Sequence, residues 1–333
     1  MKAAVFHKLH QPLVVETVDD PRPTQDELVV KVGRCGICGS DLHMTEEPLF
    51  GVPAGAVLGH EFSGEIVELG THAGGFKVGD RVAVAPLRGC GACPSCLAGE
   101  PAWCAKMMLQ GGGYAEYATA TARQCRKLPA GTSLADGALV EPLAVALHGV
   151  SLSGLTAGAR VLVMGAGPIG LGAAFWARRH GAAKVVVSDL FDVQAPLAQT
   201  LGATGFVKVD EDVKAKLHAA LGGAPDIVFE CVGRTGILAQ ALEHVAPRGT
   251  IVMLGLCTQA ESFVPFAAVQ KEVKFVTSAF FNMMEYQAAL DALDGEHALP
   301  RAMVTDTVAL AKMPAAFEAL RKRTHQCKVM VQP

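Results

Sequence analysis

The sequence predicts an α/β protein: a β-rich domain that carries loops, followed by a doubly wound parallel sheet. Three observations predict this. Over the first 145 residues, short alternating runs sit between Gly and Pro turns. From about 146 to 277, apolar strands alternate with stretches of helical period, the pattern of a parallel sheet covered on both faces. Between these two textures stands GARVLVMGAGPIGLGAAFWARRHG, which reads as strand, glycine turn and helix.

In chain order, Lys2–Phe6, Leu28–Val32, Gly64–Leu69, Arg81–Pro86, Tyr114–Ala118 and Cys125–Leu128 are the expected strands of the first domain. A cysteine-rich lobe at about 88–106 interrupts them. In the second domain, VVVSD, DIVFEC and TIVMLG are strands, and 194–201, 211–221 and 235–245 are helices. Pro196 fits the first turn of its helix, where a missing N–H costs nothing. Lys274–Thr277 is expected at a sheet edge. The tail, with a helical stretch at 314–322 and the strand CKVMVQ, is assigned back to the first domain, which then spans 1–145 and 278–333.

The 333 residues suffice for two cores. A formal net charge of -3, from 29 basic and 32 acidic residues, offers no nucleic-acid patch and no membrane-surface arm. Hydrophobic content of 50% against 18% charged suits a buried parallel sheet and apolar subunit interfaces. The first apolar run is short and broken by His and Gln, so no signal peptide is expected. No run of 18 apolar residues escapes a charge or glycine, so no membrane span is expected. A cytoplasmic location follows, with the ten cysteines reduced.

Cys90, Cys93, Cys96 and Cys104 read C-x2-C-x2-C-x7-C. Four thiolates close a tetrahedral shell around one zinc, and a loop with little core gains order from the metal. Disulfides or an iron–sulfur cluster suit the same residues; without an export signal, metal is favoured over disulfides. Four protein ligands leave no open place for substrate, so this site is structural.

Gly165, Gly167 and Gly170 form G-x-G-x-x-G after the apolar run Val161–Met164 and before a helix beginning near Pro168 and Ile169. The first glycine makes the turn, the second admits a pyrophosphate, and the third lets helix pack on strand. Asp189 ends the next strand, 24 positions after Gly165, where a carboxylate accepts hydrogen bonds from an adenosine ribose. No Arg or Lys follows in LFDVQ to neutralise a 2′-phosphate, so NAD is favoured over NADP.

Two further clusters have metal-ligand chemistry: Cys35-Gly-Ile-Cys38-Gly-Ser40-Asp-Leu-His43 and Gly59-His60-Glu61. With CGICGSDLH, GHE, the four-cysteine lobe, EPLAVALHG and VMGAGPIG in this order, the whole chain resembles the zinc-containing medium-chain alcohol/polyol dehydrogenases. The resemblance implies a GroES-like catalytic domain and a Rossmann coenzyme domain. It makes Cys38 and His60 ligands of a second, catalytic zinc, with Glu61 binding it directly or standing just behind. The remaining metal position falls on Glu141, which points to the sorbitol, butanediol and threonine dehydrogenase-like branch. It also implies two zinc ions per chain, hydride transfer to NAD, and proton release through Ser40, the NAD ribose and His43. Cys231 and Val232, the Leu254-Gly255 turn, and Ala279-Phe280 take positions that border the cofactor in this family. A homodimer or homotetramer is implied, with pairing through the edge of the second-domain sheet.

Other residues have blander readings. Cys35 is structural, Asp41 caps or braces its loop, and eight further histidines, His297 among them, lack a partner motif. Met44, Leu49, Phe50, Phe280, Phe281, Met283 and Met284 suggest an apolar pocket, whereas Glu141 suggests a polyol enzyme. The expectation is therefore oxidation of a secondary alcohol or polyol to a ketone. The alternative is a relative that acts as a reductase, or that binds NAD without chemistry. The complete set Cys38, His60, Glu61 and Glu141 weighs against it.

Overall fold

The structure, a computed structural model, describes residues 1–295 and 298–333. His297 lies outside the described residues. The chain divides into two compact units: Met1–Glu141 with Asn282–Pro333, and Pro142–Phe281. The expected divisions were at 145/146 and 277/278.

In the first unit, the central sheet has, among the described residues, the order Cys125–Lys127, Arg81–Val84, Glu61–Leu69, Glu27–Gly36, Lys328–Gln332, Val304–Ala309. Tyr117–Thr121 also pairs with Glu27–Gly36. Leu28, Val30 and Val32 share a parity and one face, and with Phe62, Ile66, Val84, Phe317 and Val331 they form the core. Each such side chain, fully buried, contributes about 2 kcal/mol of transfer free energy.

Register then decides what the strand ends present. Gly36 pairs with Glu61 and Cys35 with Phe62, while Met330 and Val331 pair with Gly36 and Cys35. Three strand ends therefore meet where Cys38, His60 and Lys328 emerge. The tail does return to this unit, as the strand Lys328–Gln332.

The strand expected over Tyr114–Ala118 begins at Tyr117. Residues 114–116 cross instead to the N-terminal strand, where Ala3 bridges Ala115 and the Ala4 N–H donates to the Tyr114 carbonyl at 2.8 Å. This frees the Tyr114 side chain to turn inward, where it is fully buried.

The second unit holds a parallel sheet in the order Gly205–Lys208, Lys184–Asp189, Arg160–Met164, Ile227–Glu230, Thr250–Met253, Lys274–Thr277. Its central strands, Val161–Met164, Val185–Val187 and Ile227–Phe229, are apolar runs because both faces are buried. Arg160–Met164 lies where the strand order reverses, the place at which open α/β sheets bind ligands. Lys274–Thr277 is the edge strand.

The helix Leu134–Leu152 was not anticipated. By length and composition it is apolar enough to cross a membrane, yet most of it is buried in the fold. It is a core helix, and it carries Asp136 and Glu141. Pro142 follows Glu141 inside it, removing one backbone donor.

Candidate active site

Cys38 leads into the short helix Gly39–Met44 and adopts extended backbone angles there. Asp41, three residues on, closes the turn: its Oδ2 accepts the Cys38 N–H at 3.3 Å. Asp41 is fully buried, and two further groups reach it. His60 Nδ1 lies 3.1 Å from Oδ1, and the Tyr114 hydroxyl donates to Oδ2 at 2.5 Å. Burial alone pushes the Asp41 carboxyl up, but His60 beside it and these donors hold it below the usual carboxylate range. An ionised Asp41 only accepts, so Nδ1 donates and Nε2 is left for a metal. Burial disfavours charge on His60, and Asp41 and Cys38 outweigh it, so its pKa is raised.

Glu61 is fully buried beside His60. Its two oxygens lie 2.7 and 2.6 Å from Nζ of Lys328, itself 1% exposed. The same Nζ donates to the Ile37 carbonyl at 3.2 Å. Gly36 leaves the room for this pair, because a Cβ there would stand 2.0 Å from Glu61 Oε2. Donor atoms of Cys38, His60 and Glu61 all lie within 4.8 Å of one another. Ser40 Oγ donates to Cys38 Sγ at 3.2 Å, and half-exposed His43 meets Glu47 at 3.2 Å through Nδ1.

Glu141 is buried in the same unit. Burial pushes its carboxyl up to about 7; Glu61 and Asp41 push the same way, and His60 and Lys328 oppose them. The folded state therefore holds this proton more tightly than the unfolded chain, whose reference value is 4.5. Stability is lost as pH rises through that window, by at most about 3 kcal/mol. In metal-free protein, Glu141→Gln is expected to melt higher than wild type at pH 8, with the gain vanishing near pH 5. An identical offset at both pH values would refute the assignment.

In the lobe, the four Sγ atoms of Cys90, Cys93, Cys96 and Cys104 lie within 4.8 Å of one another. The N–H groups of Cys90 and Lys106 donate to Cys104 Sγ, each at 3.3 Å. Backbone N–H groups of Ala92 and Cys93 draw the Cys90 thiol down to about 6, whereas desolvation pushes Cys96 up to about 11.

In the second unit, Gly165 has φ 99° and Gly167 precedes the helix Pro168–Arg179, so that Ile169 lies in its first turn. A Cβ on Gly170 would stand 1.9 Å from the Gly165 carbonyl oxygen. Asp189 Oδ2 accepts the Ala166 N–H at 2.7 Å, tying the carboxylate at the end of its strand to the glycine turn. Glu230 was not anticipated. Its Oε1 accepts the N–H groups of Val232 and Gly233 at 2.7 and 2.8 Å, and its carbonyl accepts those of Leu254 and Gly255. One buried residue thus fixes one loop through its side chain and the other through its backbone carbonyl, and Val232 approaches Gly165. Ala279 and Phe280 follow the edge strand; Phe280 adopts φ 62°.

Residues 24–130 match the family described as alcohol dehydrogenase GroES-like domain, and residues 168–295 match zinc-binding dehydrogenase. Over 350 residues the chain is 32% identical to (R,R)-butanediol dehydrogenase of Bacillus subtilis (strain 168), with both chains covered in full. The chain belongs to the zinc-binding medium-chain alcohol/polyol dehydrogenases. It is also 32% identical to sorbitol dehydrogenase of the same organism, covering 100% of this chain and 97% of that one. An alcohol dehydrogenase from E. coli CFT073 complexed with cofactor NADH has a TM-score of 0.89 at 28% identity, covering 100% of this chain and 99% of that chain.

As a zinc-binding dehydrogenase, this chain has the donors its metals require. In the lobe Cys104 Sγ accepts two backbone N–H groups, and His60, its Nδ1 held by Asp41, has a donor atom within 4.8 Å of those of Cys38 and Glu61. Lys328, like Glu230 and the Tyr114 hydroxyl, is a residue that motif reading missed, since a lysine opening an apolar strand carries no metal-site signal. Among the expected pocket residues, Phe281 and Met283 are buried, while Leu49 and Met284 are 75% and 79% exposed.

Proposed function

We propose that the protein oxidises a secondary alcohol or polyol to a ketone, reversibly, and transfers the hydride to NAD. The observation that carries this reading is the cluster of Cys38, His60 and Glu61 donor atoms in one unit, with His60 oriented by Asp41. We assign the catalytic zinc to Cys38, His60 and a carboxylate from Glu61 or Glu141, and the structural zinc to the lobe cysteines. Bound there, zinc supplies Lewis-acid polarisation of an alcohol oxygen, and NAD supplies the hydride acceptor. Asp41 keeps the His60 ring turned so that Nε2 faces the thiol and carboxylates. Ser40, against the Cys38 sulfur, takes the outgoing proton. His43, partly open to solvent, passes it on.

Gly165, Gly167 and Gly170 receive the pyrophosphate, Asp189 the ribose, and Cys231, Val232, Leu254, Gly255, Ala279 and Phe280 the nicotinamide side. Lys208 sits opposite Asp189 in the parallel pairing, so NADP belongs in any test. The sorbitol and butanediol relatives favour a polyol or diol, and burial of Phe281 and Met283 removes part of the case for an apolar pocket. A homodimer or homotetramer that pairs through the edge strand Lys274–Thr277 is assigned; on the helix Pro265–Lys271 just before that strand, Phe266 and Val269 are 64% and 69% exposed. A cytoplasmic location keeps the ligand thiols reduced.

The test is reduced-cofactor absorbance with NAD and NADP separately, over small diols, linear sugar alcohols, threonine and cyclic apolar alcohols, with light scattering on the same sample. Turnover of diols or sugar alcohols with NAD, by a dimer or a multiple of it, is expected. Turnover confined to cyclic apolar alcohols would overturn the polyol assignment, and no turnover at all would overturn the enzyme reading.

A further inference from the structure

We propose that Glu230 is a positioning residue for the nicotinamide half of the cofactor, joining the loops at Val232 and Gly255 into one surface that the dinucleotide meets as a whole. The inference rests on the dinucleotide reading of the second unit given above.

Glu230 ends the middle one of three neighbouring strands, with Met164 as its register partner on one side and Met253 on the other. Each of these strands gives way to a loop at its carboxyl end, where open parallel sheets bind ligands. Backbone bonds tie the loops at their roots. The Cys231 N–H donates to the Met164 carbonyl at 2.9 Å, and the Glu230 carbonyl accepts the N–H groups of Leu254 and Gly255 at 2.8 and 2.9 Å. A residue of any kind could make those bonds. The side chain adds a further hold: one oxygen, Oε1, accepts the successive N–H groups of Val232 and Gly233 at 2.7 and 2.8 Å. Successive N–H groups that converge on one point form an anion-binding hollow, and here the chain supplies its own anion.

Two glycines let the loops close on each other. A Cβ on Gly255 would stand 2.2 Å from the Gly233 nitrogen and 2.6 Å from Glu230 Oε2, and a Cβ on Gly233 would stand 2.6 Å from the Leu256 nitrogen. Gly233 also has φ 67°, which favours glycine. Packing alone does not call for a carboxylate at this place. Glu230 is 5% exposed, and burying a charge is costly unless hydrogen bonds meet it. The loops it holds stay accessible, with Val232 and Leu256 39% and 41% exposed. A buried anion thus fixes, from behind, two apolar side chains that a ligand can cover.

The experiment uses the full chain and two ligands: NADH, read by its fluorescence, and 5′-AMP, read by calorimetry. The second carries only the adenosine side, which is assigned to Asp189. In Glu230→Ala the Kd for NADH is expected to rise about tenfold, with that for 5′-AMP within about twofold of wild type. KM for NAD rises with it, while kcat changes by less than about threefold. Glu230→Gln keeps an oxygen that accepts both N–H groups, and is expected to restore NADH binding to within about threefold of wild type. A Glu230→Ala protein that binds NADH like wild type overturns the proposal, as does one that loses NADH and 5′-AMP by the same factor. So does a Glu230→Gln protein as weak as Glu230→Ala. Should Glu230→Ala fail to fold, Gly255→Ala, which sets a methyl against the Gly233 nitrogen and Glu230 Oε2, decides by the same two ligands. Wild type that binds neither NADH nor NADPH would bring down the dinucleotide reading itself, and the inference with it.

Discussion

Cys38→Ala is expected to lower kcat/KM by roughly three to four orders of magnitude, since the Lewis acid is worth several kcal/mol of transition-state stabilisation. The loss should be confined to the chemistry. Metal content should fall from two ions per chain to one, because the lobe keeps its own four thiols within 4.8 Å of one another. Cofactor binding should persist, since the glycine turn, Asp189 and the Glu230-pinned loops all belong to the other unit. Three readouts on one preparation test this: reduced-cofactor absorbance, metal analysis, and quenching of protein fluorescence by NADH. Hydride transfer at the wild-type rate by a protein that has lost one metal would sink the zinc mechanism.

The second large effect is on stability. Cys93→Ser is expected to cost the lobe its metal and the protein several kcal/mol. Structural zinc supplies roughly 10 kcal/mol or more in small zinc-folded peptides, and part of that survives here through neighbouring contacts. The lobe has few other resources. Pro101, Ala102 and Cys104 are buried, but Leu97 and Trp103 are 72% and 60% exposed, and the secondary structure is one short helix, one 3-10 turn and a two-residue strand pair. Limited proteolysis should therefore cut within 88–106 in the variant and not in wild type. The melting temperature should fall by roughly ten degrees or more. An unchanged melting curve after loss of the metal would show that the lobe folds without it.

Much of this was legible in the sequence because its parts are local. Cys90 to Cys104, the turn from Gly165 to Gly170, and Cys38 to His43 each place their chemistry within one turn or loop, so spacing alone carries meaning. Parallel strands announced themselves as valine runs, since a sheet covered on both faces has no polar side to show. What remained hidden is long-range. Lys328 and Glu61 are 267 positions apart, and Tyr114 reaches Asp41 across 73. No spacing rule connects them, and only sheet register makes them neighbours. The Tyr114–Ala118 strand was misplaced for the same reason: its alternation is genuine, but Ala3 competes for residue 115. The helix Leu134–Leu152 escaped because its apolar residues surround it, leaving no stripe for a period to mark.

The pairing of Gly36 with Glu61 also sets which length changes the gene can tolerate. Loops tolerate insertion, because their ends are fixed by other contacts. A ladder does not. Deleting one codon within Glu27–Gly36 would turn the remaining side chains to the opposite face and bring a residue with a side chain against the Glu61 carboxylate. Natural length variation among functional homologues should therefore fall in the loops between strands and leave this strand uninterrupted.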